Sequence, residues 1–220
     1  MTLSNNQVTK LGDRLRGNAS SDEDLVMLDK FRQTFSEVDE LAYRVIQDVL
    51  SEQSHVTLTK RKRKTQQSIV DKLRRQSNLR LPQMQDIAGC RIVAEGGSEF
   101  VKKIESVLTG AFDQSGWQVE SKDRDDHGYR AIHTIVKKGA KFYEIQLRTY
   151  AQDIWANLVE SMSDEGNTLK YGGTATEQPL MKKLKLLADE FSKIDLSAHR
   201  VSLENYQHQI EEAIRHVLSH

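Results

Sequence analysis

The sequence predicts an α/β (α+β) fold, a mixed β-sheet flanked by helices with helical extensions at both ends. Three observations carry that expectation. The segment Asp86–Glu95 (DIAGCRIVAE) holds a short β-branched run of buried-strand character, followed by Gly96-Gly97-Ser98 and a helix with apolar positions at Phe100, Val101, Ile104 and Leu108. Two further strand candidates, YRAIHTIV and FYEIQLR, are separated by a hairpin-like turn at Lys137-Lys138-Gly139-Ala140. Before and after these strands, apolar residues recur at three- and four-residue steps in the segments 22–50, 150–162 and 180–217. A hairpin makes antiparallel neighbours and a crossover helix makes parallel ones, so the sheet is mixed.

Residues 1–21 are polar and without pattern, which predicts a flexible lead. From Asp22 to about Leu50, the positions Leu28, Phe31, Phe35, Val38, Ala42, Val45 and Val49 form the stripe of one amphipathic helix, with Ser21 and Asp22 as its cap. The basic run Lys60-Arg61-Lys62-Arg63-Lys64 then enters a helix with Ile69, Val70 and Leu73 on its apolar face. The two prolines, Pro82 and Pro179, stand where the periodicity breaks. A strand around Trp117 to Glu120 precedes the hairpin, and a helix from about Tyr150 carries Ile154, Trp155, Leu158 and Met162. After a polar loop from Asp164 to Gln178 come two helices, one with Leu180, Leu184, Leu187 and Phe191, the other with Leu203, Tyr206, Ile210, Ile214 and Val217. The expected domain therefore spans 22–178, with its motifs between about 60 and 155. Helices in 179–220 pack on it or form a homo-oligomer interface.

The 220 residues suffice for one buried core. With 37% hydrophobic and 29% charged residues the chain is not of disordered composition. The formal net charge is +0, but the positive charges cluster, so the field is uneven. The single cysteine, Cys90, excludes an internal disulfide and a thiolate metal site, in keeping with a reducing cytoplasm. The start lacks the apolar stretch of a secretory signal, and no run approaches the roughly 20 apolar residues of a membrane helix. A cytoplasmic protein without a membrane partner is expected.

Side chains alternate across a strand. Tyr143, Ile145 and Leu147 therefore share one face, and Phe142, Glu144, Gln146 and Arg148 the other. That second face suits a wet working surface and equally an ordinary solvent-side strand. On the neighbouring strand Tyr129, Ala131, His133 and Ile135 lie together, which allows a ring to stack on a base and an imidazole to reach a phosphate. Asp86 sits at a strand mouth; paired with Glu144 it makes a two-carboxylate Mg²⁺ site, and alone it is a turn cap. Were the helix of SIVDKL to extend backwards, Lys60, Lys64, Ser68 and Lys72 would form one basic stripe, suited to ATP phosphates or an RNA backbone and otherwise a solvated face. There is no P-loop, HExxH, nucleophile elbow or dinucleotide glycine fingerprint.

In chain order, KRKTQQSIVDKL, DIAGCRIV, HGYRAIH and EIQLRT resemble the synthetase domain of the RelA/SpoT family, over about Lys60 to Trp155. The chain is similar to the stand-alone small alarmone synthetases rather than to the long bifunctional enzymes. The resemblance implies a nucleotidyltransferase-like fold and transfer of the β,γ-pyrophosphoryl group of ATP to the 3′-hydroxyl of GDP or GTP, making (p)ppGpp. It implies that Asp86 and Glu144 hold Mg²⁺, with Glu144 also placed to help deprotonate the acceptor hydroxyl. It assigns Lys62, Lys64, Ser68, Lys72 and Arg91 to ATP, and Tyr129, His133, Gln146 and Arg148 to the acceptor.

Two departures bear on that assignment. The family's arginine two residues before Lys64 is Lys62 here, flanked by Arg61 and Arg63, and lysine cannot reproduce a stacked or bidentate guanidinium. The stretch DRDDH before Gly128 offers Asp125 and His127 in place of lysine and asparagine, on a side expected to face the acceptor. Alternatives are a toxin-like relative that pyrophosphorylates the tRNA 3′-CCA end or an adenosine nucleotide, with an antitoxin partner, and a catalytically idle nucleotide- or RNA-binding module.

Overall fold

The computed structural model describes residues 3–17, 20–162, 169 and 172–219. Five strands form one sheet in the order β1-β2-β5-β4-β3. They are β1 (Val56–Lys60), β2 (Gly89–Ala94), β3 (Gln118–Asp126), β4 (Tyr129–Lys138) and β5 (Lys141–Thr149). Strands β2 and β5 run parallel, whereas β1–β2, β5–β4 and β4–β3 are antiparallel. The mixed sheet expected from the sequence is present, with helices around it.

The alternation of β5 divides the two sides. Cys90 and Ile92 of β2, Thr134 and Val136 of β4, and Tyr143, Ile145 and Leu147 of β5 are all buried. They pack in one core with α3 (Ser36–Leu50) and α5 (Gly97–Gln114), whose Ala42, Ile46, Ile104, Leu108 and Phe112 are buried there too. The opposite side lies under α6 (Tyr150–Met162). Helix α6 shares a second core with α7 (Gln178–Ser197) and α8 (Leu203–Ser219), through Trp155, Leu184, Phe191, Tyr206 and Ile210. Residues 164–168, 170 and 171 of the expected polar loop lie outside the described residues.

Several local expectations are corrected. The N-terminal segment is not a flexible lead but a helix, α1 (Asn5–Arg16), capped by Ser4, with Val8, Leu11 and Leu15 buried. Arg14 pairs with Asp24 at 2.7 Å, and Arg16 donates to the carbonyls of Ser77 and Leu79, so α1 is tied to the body of the domain. The single helix expected over 22–50 is two, α2 (Asp22–Gln33) and α3. At the break the Thr34 hydroxyl donates to the Phe31 carbonyl at 2.6 Å, a local bond that competes with helix continuation. Lys141 then seals the corner, its ammonium 4.5 and 4.4 Å from the Phe31 and Phe35 ring centres and 2.6 Å from Thr34 Oγ1. Strand β1 was not expected, and β3 extends well beyond Glu120.

Asp195 of α7 is buried and accepts hydrogen bonds from Tyr206 (2.7 Å) and Thr149 (2.8 Å), joining α7, α8 and the end of β5. Burial pushes its carboxyl up to about 6 against the pull of those two hydroxyls. Its raised affinity for a proton adds stability that is complete below the ordinary carboxylate value and is lost as the pH climbs through about 6. The wild-type melting temperature should thus fall, relative to Asp195→Asn, between about pH 4 and about pH 6; parallel curves would contradict the assignment. Leu11→Ala should cost about 2–5 kcal/mol in denaturant unfolding, the range for a buried leucine, where a flexible lead would show no change.

Candidate active site

The site is built on the α6 side of the sheet, where neighbouring strands set its residues in rows. Arg91 of β2 and His133 of β4 both stand opposite Gln146 of β5, while Gly89 stands opposite Glu144. A Cβ at position 89 would lie 2.3 Å from the Glu144 carbonyl oxygen, so only glycine permits this approach. The face with Glu144, Gln146 and Arg148 is not solvent-side, because these residues are only 7, 8 and 5% exposed. Buried charges of this kind require partners.

Glu144 has three. Arg61 Nη1 donates to Oε2 at 2.7 Å, Gln146 Nε2 donates to the same oxygen at 2.9 Å, and His133 Nδ1 lies 3.0 Å from Oε1. Burial alone would raise the Glu144 carboxyl, but the His133 hydrogen bond and the charges of His133 and Arg61 outweigh it and take it to about 2. The network continues outward. His133 Nε2 is 2.9 Å from the Tyr129 hydroxyl, which accepts from Arg148 Nη2 at 3.1 Å. Arg148 Nη1 in turn donates to Asp153 at 2.9 Å, and Arg91 pairs with the same carboxylate at 3.3 Å.

Asp86 stands beside this network, just before β2. The Glu144 backbone N–H donates to the Ala88 carbonyl, and Lys64 N–H to that of Ile87, so the chains carrying Asp86, Lys64 and Glu144 run side by side. Lys64 Nζ is 3.1 Å from Asp86 Oδ2 and Lys72 Nζ is 2.8 Å from Oδ1. Burial would raise the Asp86 carboxyl, yet the two ammonium groups bring it below the usual range; the nearby charge of Glu144 pushes the other way. The two carboxylates therefore sense each other, each neutralised by its own cations.

Of the expected basic stripe, Lys64 and Lys72 converge and Lys60 does not. Thr65 caps α4 (Gln66–Arg75), its Oγ1 accepting from the Ser68 N–H at 3.2 Å, so the helix cannot extend back to Lys60. Lys60 ends β1 and pairs with Glu40 at 2.7 Å. Ser68 is exposed, its hydroxyl 2.8 Å from Thr65 Oγ1. Lys62 is exposed as well, and Arg63 turns away to Ser36. The neighbour that enters the site is Arg61, unmarked by the sequence because five consecutive basic residues look alike.

Between the sheet and α6 lies a cavity of about 120 Å³ lined by Arg61, Arg91, Tyr129, Gln146, Arg148, Trp155, Ala156, Val159 and Glu160. Sequence reasoning missed the α6 contribution, although Asp153, Ala156, Asn157 and Glu160 follow helical spacing on one face. Trp155 is fixed by its indole N–H donating to the Leu184 carbonyl at 2.7 Å. Gly128, at φ +93°, turns the β3–β4 hairpin beneath it, where a Cβ would meet the Trp155 ring at 2.9 Å and Ala188 at 3.1 Å. Asp125 and His127 do not line this cavity. They border a separate hollow of about 370 Å³ with Lys182 and Lys185, and Asp125 pairs with Arg130.

Residues 61–163 match the family model described as "Region found in RelA / SpoT proteins". An uncharacterized protein of Mycobacterium tuberculosis is 36% identical over 112 residues, covering 49% of this chain and 40% of its own length. The GTP pyrophosphokinase YjbM of Bacillus subtilis is 30% identical over 143 residues, covering 58% and 63%. The chain thus spans about two-fifths to two-thirds of these curated relatives. The crystal structure of small alarmone synthetase 1 from Bacillus subtilis superposes with a TM-score of 0.57 at 25% identity, covering 87% of this chain and 100% of that one. Its complex with the product pppGpp gives a TM-score of 0.59 at 22% identity, which speaks for the fold.

Because Glu144 is buried and anchors Arg61 and His133, Glu144→Gln should lower unfolding stability by about 1–3 kcal/mol, the cost of leaving such partners unmet. Equilibrium denaturation of both forms checks this; an unchanged midpoint would show the face to be solvated.

Proposed function

We propose that this chain is an ATP-dependent pyrophosphotransferase that moves the β,γ-pyrophosphate of ATP onto the 3′-hydroxyl of GDP or GTP. The observation that carries the reading is a pair of carboxylates close enough for their charges to interact, half-buried Asp86 facing Lys64 and Lys72 and buried Glu144 facing Arg61, whose side chain lines a cavity together with Arg91, Arg148 and Tyr129. The name of YjbM, GTP pyrophosphokinase, supports it. In the reaction the acceptor O3′ bonds to the β-phosphorus, the bond from that phosphorus to the α-bridging oxygen breaks, AMP leaves, and the hydroxyl proton is lost.

Asp86 and Glu144 fit a divalent cation. Both offer hard oxygen donors, and Asp86 Oδ1 is buried without a hydrogen-bond partner, its contact with Lys72 lacking hydrogen-bond geometry. Among the described residues no group of three or more His, Cys, Asp or Glu side chains gathers to hold an ion. Such a pair suits Mg²⁺, which two carboxylates bind together with substrate phosphates. Bound there, Mg²⁺ would neutralise charge on the transferring phosphates.

The protein's own groups supply position and charge. Lys64 and Lys72, now facing Asp86, are placed to take ATP phosphates, with Arg61 and Arg91 at the cavity and Lys62 and Ser68 outside the buried part. Tyr129 offers its ring to the acceptor base, and His133, Gln146 and Arg148 hold it in place. Held near 2 by His133 first and by Arg61 after it, Glu144 is a weak base; transfer of Arg61 to an incoming phosphate would restore only part of its proton affinity, since the His133 bond remains. Positioning and charge neutralisation are the chief sources of rate in such transfers. Substrates of this kind place the enzyme in the cytoplasm, and no helix among the described residues is long and apolar enough to cross a membrane.

Incubation with γ-labelled ATP and GDP, GTP, ATP or deacylated tRNA should label GDP and GTP. Label on tRNA alone would favour the toxin-like alternative, and label on none a binding module. Asp86→Asn should abolish transfer. Tyr129→Ala should raise the acceptor KM by roughly 10- to 100-fold, the worth of a stacked base, with a smaller effect on ATP; equal losses would refute the stacking role.

A further inference from the structure

Cavities of this chemistry, rich in arginine, attract phosphates, and a carboxylate inside one repels them. The arginines that line this cavity already hold two carboxylates outside its lining, Glu144 on Arg61 and Asp153 on Arg148 and Arg91. Glu160 is different. It lines the same cavity, stands near enough to Arg91 for their charges to interact, is exposed, and among the described residues accepts no hydrogen bond. It sits seven residues after Asp153, two turns along α6 and about 10 Å away by helical rise. Glu160 is the one carboxylate among the residues lining the cavity, whose other walls bring three arginines and the Tyr129 ring.

A nucleotide placed in this cavity must keep its phosphates away from Glu160, which leaves the base beside it. The Watson–Crick edge of guanine offers two adjacent donors, N1–H and the 2-amino group, which match the two oxygens of one carboxylate. Adenine offers one donor beside a lone pair that a carboxylate repels. Hypoxanthine keeps N1–H and lacks the amino group.

We propose that Glu160 is a specificity-determining residue that reads the N1–H and 2-amino edge of a guanine base lying in the cavity against Tyr129. This rests on the assignment of the cavity to the acceptor, and the two can fail separately. The fold does not depend on Glu160, since its side chain is exposed at the end of α6; an unchanged melting temperature of the variants would verify that.

The test uses the full chain and compares kcat/KM for ATP-dependent transfer to GDP, IDP and ADP. Wild type should prefer GDP to IDP, and Glu160→Ala should lose about 10- to 100-fold on GDP, the scale of a charge-assisted bidentate contact, with less loss on IDP. The GDP-to-IDP ratio should collapse, and Glu160→Gln, which retains one acceptor oxygen, should fall between. The same GDP-to-IDP ratio in wild type and Glu160→Ala would overturn the inference while leaving the transferase reading intact. A wild-type chain that labels no guanine nucleotide would instead overturn the transferase reading and the inference with it.

Discussion

The buried charge of Glu144 is the constraint from which the site is organised. A carboxylate in this position is tolerable only if cations and donors surround it, and an isolated charge would be neutralised by a proton. Arg61, His133 and Gln146 meet that demand from three separate parts of the chain. Each needs its own support: Arg61 follows β1 directly, His133 is held by Tyr129, and Gln146 stands between β2 and β4. The result is a preorganised polar face.

The second support comes from the far end of the chain. Helix α6 roofs the cavity, and α7 fixes α6 through the Trp155–Leu184 hydrogen bond. Arg130 of β4 reaches the same helix, donating to the Ala188 carbonyl and to Asp189. The matched region stops at residue 163, so part of what shapes this cavity lies beyond the matched segment. Asp195 extends the linkage to α8, and its elevated proton affinity makes that docking sensitive to pH.

Much of this was legible in the sequence where the cause is local. Period-two alternation put Glu144, Gln146 and Arg148 on one face and Tyr129 with His133 on another, and the hairpin turn fell at Gly139 as expected. Whether that face was wet or buried was not legible, because the answer lies in α6, a separate element. Asp86 and Glu144 are distant in the chain; their residue types and strand positions offered the pair beside the reading of Asp86 as a turn cap, and the family resemblance chose between the two. Arg61 was hidden among equivalent neighbours, and its selection over Lys62 depends on the direction each side chain leaves the strand. Helix α1 has few apolar positions, and its stability comes from contacts with Leu81 and α2 that no local pattern reveals. The break between α2 and α3 depends on Lys141, contributed from across the sheet.

The central claim is that Asp86 and Glu144 share one divalent cation when a nucleotide triphosphate is present. Electron paramagnetic resonance of Mn²⁺ titrated into the protein with a non-hydrolysable ATP analogue tests it directly. One tightly held ion per chain, lost in Asp86→Asn and equally in Glu144→Gln, is the predicted result. Retention of that ion by either variant at wild-type affinity would contradict the account.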